Sequence, residues 1–157
     1  MTEAHTEIGL LVPLIVGICL VGMTFVVHAV AARYLIRFVH WRRGRGRGGW
    51  ERIHDMRLIF VTALAAFSAH LVDICFWGML FIGIDRAPGF PVAFYWSAGA
   101  YTTLGSGSIT VPAQWRLLGP IEAADGMLLF GLTTALLFAV IQQIQKPSGV
   151  AWTSDAS

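Results

Sequence analysis

His70 and Asp73 stand three residues apart in one apolar stretch, and Glu122 and Asp125 repeat that spacing in another. At the helical period, such a separation places both members of a pair on one face. Imidazoles and carboxylates move protons and bind metal ions, and ionisable groups inside apolar stretches point to function. Metal-assisted hydrolysis within a membrane is one chemistry open to them, but HExxH, GxSxG and catalytic-dyad spacings are all missing. A second is a buried hydrogen-bonded network of His70 with Asp73, Glu122 or Asp125 that holds two helices together. A third is a proton-sensitive gate, since burial and neighbouring charge govern when such groups ionise.

A different chemistry belongs to the backbone. The stretch "AYTTLGSGSI", Ala100 to Ile109, is a poor helix and a poor strand. Gly105 and Gly107 admit backbone angles closed to other residues, so successive carbonyls can point the same way. A ring of such carbonyls replaces the water shell of a permeating ion. Just upstream, "APGFPVAFYWSAGAY" opens on the turn signal Pro88-Gly89, with Pro91 suited to a first helical turn. Pro91 to Tyr101 is apolar and aromatic but too short to span a bilayer, which predicts a re-entrant half-helix. Its negative C-terminal end favours a cation. Val111-Pro112 then leads the chain back out, and irregular backbone at membrane depth is tolerated only inside protein or beside water.

The elements that must position these groups are membrane spans. Of 157 residues 56% are hydrophobic and 13% charged, and the mean hydropathy is +0.67, well above a soluble domain. Ile8 to Ala32 carries no formal charge and is long enough to cross ~30 Å of hydrocarbon, and too long for a signal peptide. Further spans are expected at Leu58–Ile84 and Leu117–Ile144. Arg33, Arg37, Arg42, Arg43, Arg45, Arg47, Arg52 and Arg57 cluster around the loop between the first two spans, out of 11 basic residues in all. The positive-inside rule puts that loop in the cytoplasm. The N-terminus then lies outside, residues 85–116 are external, and the C-terminal tail is cytoplasmic.

"WRRGRGRGGW" has the composition of an RNA-binding run, yet its place between two spans makes it a topology anchor on anionic headgroups, and no nucleic-acid partner is expected. Cys19 and Cys75 lack metal spacing and read as small apolar residues. His28, within the first span, reads as a core histidine. No voltage-sensor spacing of arginines within a span is present.

On "FYWS", "YTTLGSG", the downstream "VP" and "WRLLG", and the inner-helix segment "EAADGMLLFGLTTALLF", the chain resembles the two-transmembrane, pore-loop potassium-channel family over about residues 58–145. The resemblance implies an all-α membrane protein: three transmembrane helices with a re-entrant pore helix and filter between the second and third, assembled as a homotetramer. Thr103-Leu104-Gly105-Ser106-Gly107-Ser108 stands where the family has Thr-Val-Gly-Tyr-Gly-Asp. It places the Thr103 hydroxyl and the carbonyls of Thr103 to Ser106 on the ion path, with Gly107 completing the filter. Gly126 falls at the family's inner-helix hinge, although Gly126 and Gly131 also suit close packing. Met127, Phe130 and Thr134 fall at cavity-lining positions. Glu122 lies about 110° from that group and Asp125 nearly opposite, so both acids are expected to face the second span or the pore-helix base.

Two departures bear on selectivity. Ser106 replaces a tyrosine whose ring braces the filter in the family, and Ser108 replaces an acid at the outer mouth. The expected organisation is residues 1–39 as an external terminus and peripheral span, 40–57 as the basic loop, 58–145 as the pore domain and 146–157 as a short tail. The expected function is a passive cation channel of the plasma (inner) membrane, conducting K⁺ with selectivity weakened at Ser106. The alternatives are a non-selective monovalent cation channel and a silent channel-like subunit. Neither enzymatic activity, a cofactor nor a metal beyond permeant cations is expected.

Overall fold

The computed structural model describes residues 2–43, 51–84, 87–105 and 113–145, and all of its regular structure there is helical. Three long helices, α1 (Thr2–Arg43), α2 (Glu51–Gly83) and α4 (Leu118–Gln145), carry one short helix, α3 (Phe90–Tyr101), between the second and third. A single 3₁₀ turn at Ala113–Trp115 precedes α4. Leu10–Trp41, Asp55–Gly83 and Leu118–Ile144 are each long and apolar enough to cross a bilayer. The protein is therefore a multi-pass membrane protein, with side chains such as Val26, Phe60 and Phe138 directed outward as a lipid-facing surface would be.

The helices run further than the apolar stretches do. Helix covers residues 40–43 and 51–57 of the segment expected as a loop, and residues 44–50 lie outside the described residues. Composition explains both ends: Trp41-Arg42-Arg43 continues a helix well, whereas Gly44, Gly46, Gly48 and Gly49 cost roughly 1 kcal/mol each in one. The C-terminal tail from residue 146 likewise lies outside the described residues.

Close packing is arranged through glycines, as expected where lipid supplies no hydrophobic drive between helices. A Cβ on Gly78 of α2 would sit 3.4 Å from the Ala93 backbone of α3. One on Gly126 of α4 would lie 2.1 Å from the Tyr101 carbonyl oxygen. The core joins Ile74, Trp77 and Phe81 of α2 to Ala93 and Tyr101 of α3 and to Leu118 and Leu129 of α4.

Helix α1 is not confined to the outside of α2. A Cβ on Gly17 would meet Ile121 Cδ1 of α4 at 2.8 Å, and at the far end Gln143 Nε2 lies 3.0 Å from His40 Nε2. The physical reason is small-residue contact at Gly17, which lets α1 lie along both α2 and α4. Within one chain, α1 thus packs against both α2 and α4.

Candidate functional site

The site grows from α3. Gly89 precedes it with extended backbone, Pro91 occupies its first turn, and Ala93 N–H closes that turn on the Gly89 carbonyl at 3.0 Å. The helix stops at Tyr101. Past it the amides of Thr102, Thr103 and Gly105 donate back to the carbonyls of Ala98, Ala100 and Gly99 at 3.1, 2.9 and 2.9 Å. That wrapping needs left-handed backbone twice, at Thr103 (φ 61°) and Gly105 (φ 90°). Glycine adopts such angles freely, but a β-branched threonine does not, so Thr103 stores local strain of the kind found at functional sites. Thr103, Leu104 and Gly105 are exposed, Leu104 at 83%. Ser106 and Gly107, the remaining expected filter residues, lie outside the described residues, as do Ser108, Val111 and Pro112.

Behind α3 lies a buried polar cluster drawn from all four helices. Tyr101, fully buried, donates its hydroxyl to Asp73 Oδ2 at 3.2 Å and meets His70 Nδ1 at 2.9 Å. Thus His70 and Asp73 are linked through a tyrosine rather than directly. The other ring nitrogen of His70 lies 2.9 Å from Thr133 Oγ1 of α4. Ser97 Oγ donates to the Ile74 carbonyl at 2.8 Å and pairs with Glu122 Oε1, joining α2, α3 and α4 through one hydroxyl. Asp125 receives the Trp77 indole N–H at 3.0 Å and the Thr24 hydroxyl of α1 at 2.9 and 3.0 Å. His28, one turn beyond Thr24, places Nδ1 3.0 Å from Asp73 Oδ2.

These contacts place every member of the expected polar set. His70, Asp73, Glu122 and Asp125 are all buried, Glu122 against α3 and Asp125 against α2 and α1. The other face of α4 is bare: Met127 is 59% exposed, and Phe130 and Thr134 are also exposed. Phe130 sits at the boundary, its ring 4.6 Å from His70 and 5.5 Å from Tyr101 between centroids. Sequence reasoning missed Thr24, Trp77, Ser97 and Tyr101. Spacing carried a signal for three of them, since Thr24 and His28, and Ser97 and Tyr101, are each four apart in an apolar helix.

A short pore-type helix, left-handed backbone at its C-terminal end and three spans invite comparison with known membrane proteins. The family model described as Ion channel matches residues 58–143, from within α2 to within the last turn of α4. The chain belongs to that ion-channel family. No curated protein and no solved structure matches it. Membership explains why α2, α3 and α4 form one unit, and it makes the chain a channel protein and not an enzyme. Helix α1 lies outside the matched residues but contributes Thr24 and His28 to the cluster behind the pore helix.

Proposed function

We propose that four copies of this chain form a passive cation channel in the plasma (inner) membrane, with the basic loop and C-terminus in the cytoplasm and the N-terminus outside. The observation that carries the reading is the end of α3, where a helix C-terminus gives way to exposed, left-handed backbone at Thr103 and Gly105 in a chain of the ion-channel family. Partial negative charge at that end attracts a cation. The carbonyls of Thr103, Leu104, Gly105 and Ser106, with the Thr103 hydroxyl and Gly107, take the place of its water shell. One chain supplies one strand of such a ring, so the pore requires several copies related by symmetry. Gly126, Met127, Phe130 and Thr134 border the cavity beneath, which suits the exposed side of α4. Arginines flanking residues 44–50 set the orientation and rest on anionic headgroups.

K⁺ is the favoured permeant ion. Ser106 lacks the ring that braces the filter in the potassium-channel resemblance, but His70, Asp73, Tyr101 and Glu122 tie the base of α3 to α2 and α4. That network supports a rigid filter without a tyrosine at residue 106. The second reading, a non-selective monovalent cation pore, rests on Ser106 itself.

The decisive experiment is the reversal potential of the purified protein in a planar bilayer with K⁺ on one side and Na⁺ on the other. Reversal near the K⁺ equilibrium potential is expected. Reversal near zero with clear cation current would establish the non-selective pore, and silence at every voltage would leave a partner-dependent subunit. Cross-linking in the membrane, stopping at four chains, is the accompanying expectation.

A further inference from the structure

Two imidazoles and one carboxylate converge behind the pore helix, and several of their polar atoms have no partner. His28 of α1 is 4% exposed, and neither of its ring nitrogens makes a hydrogen bond; Nδ1 lies 3.0 Å from Asp73 Oδ2 but outside hydrogen-bond geometry. Asp73 of α2 is fully buried, and its Oδ1 has no partner. One ligand atom from each of His28, His70 and Asp73 lies within 4.8 Å of the others. Buried polar atoms are paired in the great majority of cases, and leaving several unpaired in one place is costly. A single cation among them satisfies imidazole and carboxylate together, whereas hydrogen bonding must satisfy them one at a time.

We propose that His28, His70 and Asp73 bind one divalent first-row transition-metal ion, with zinc the best fit to the donor set. Two imidazoles and a carboxylate are borderline donors that suit zinc. Calcium and magnesium take oxygen ligands and would leave both rings unused. A hydrogen bond that orients one of these rings is already in place. Thr133 Oγ1, 2.9 Å from His70 Nε2, fixes the ring so that Nδ1 faces Asp73 and Tyr101. On binding, His70 Nδ1 exchanges the Tyr101 hydroxyl for the ion, and that hydroxyl remains beside Asp73. Metal bonds of ~2.0–2.1 Å draw the three side chains inward by rotation. The ion clasps α1 to α2 at the depth of the pore-helix C-terminus, giving the added N-terminal span a reason to carry a histidine.

The test uses full-length protein in detergent, stripped with EDTA and dialysed against Co²⁺ or Zn²⁺. One ion per chain by elemental analysis is expected, with the visible absorption of low-coordinate Co²⁺. His28→Ala and Asp73→Asn each lose it. Thr133→Val, which removes only the outer-shell hydroxyl, weakens binding roughly 10–100-fold. Replacing His5, His40 and His54 together leaves stoichiometry and spectrum unchanged. No Co²⁺ bound above the level of Asp73→Asn overturns the proposal, as does binding that survives His28→Ala. Should either ligand variant fail to fold, Thr133→Val decides, and an unchanged affinity there overturns the site.

Discussion

The two faces of α4 differ in what satisfies them. One carries Leu118, Glu122, Asp125, Gly126 and Leu129, all buried, and every acid on it has a partner on another helix of the same chain. The other carries Met127, Leu128, Phe130, Gly131, Leu132 and Thr134, all exposed. Composition alone would put the two acids of the first face toward water, where neither lies. Partners separate the two faces. In a membrane, packing and interhelical hydrogen bonds replace the hydrophobic drive, and a face without either is free to meet another copy or a water-filled cavity. The packed face thus belongs to the fold of one subunit, and the bare face is the one the proposed assembly would use.

The largest effect should come from a matched pair of glycines. A methyl group at Gly126 would sit 2.1 Å from the Tyr101 carbonyl oxygen, whereas one at Gly131 would have nothing within 4 Å. Gly126→Ala must push α4 away from α3 and strip the pore helix of its support. Overpacking of this kind costs ~1–3 kcal/mol or more, and the variant should melt well below the parent in detergent. Gly131→Ala should change stability by less than ~1 kcal/mol, and in the stabilising direction if helix propensity dominates. Equal melting midpoints for the two variants would break the division at its clearest point. They would also favour a hinge over close contact at Gly126.

A smaller effect should mark the reach of the packed face into α1. Asp125 is the acceptor for both the Trp77 indole and the Thr24 hydroxyl, so Asp125→Ala leaves the buried Trp77 N–H unmatched and turns the Thr24 hydroxyl back on the Val21 carbonyl of its own helix, 2.7 Å away. A loss of ~1–3 kcal/mol is expected. The part that belongs to α1 is measured by a double-mutant cycle with Thr24→Val, and membrane hydrogen bonds of this kind couple by ~0.6 kcal/mol on average and up to ~1.7. A coupling indistinguishable from zero would return α1 to the periphery.

How much of this was legible in the sequence depends on whether a feature is local. Span length and the short helix at Pro91 are local, and they appear in the fold close to where residue types and spacing put them. The pairs His70/Asp73 and Glu122/Asp125 were visible for the same reason. Their partners were not. Tyr101 reaches Asp73 across two helices, and Thr24 reaches Asp125 from a span outside the matched family region. A single sequence gives the period of each helix but not which faces meet. Thr24 and His28, four apart, announced a polar face on α1 without saying what it met. Gly126 was open between hinge and close contact until the Tyr101 carbonyl lay against it.

The smallest effect on stability should carry the most information about the pore. Met127 and Leu129 are two residues apart on α4, one 59% exposed and the other fully buried. In a background with Cys19 and Cys75 replaced by alanine, Met127→Cys should change the melting midpoint little, within ~0.5 kcal/mol, as substitutions away from the core do. Its thiol should nonetheless react with a charged, water-soluble methanethiosulfonate reagent and reduce the current, because a proposed cavity wall meets water. Leu129→Cys should be protected. Lipid would exclude the charged reagent, so an unreactive Met127→Cys in a conducting channel would assign this face to lipid or to a dry contact between copies, and the cavity would have to be lined from elsewhere on α4.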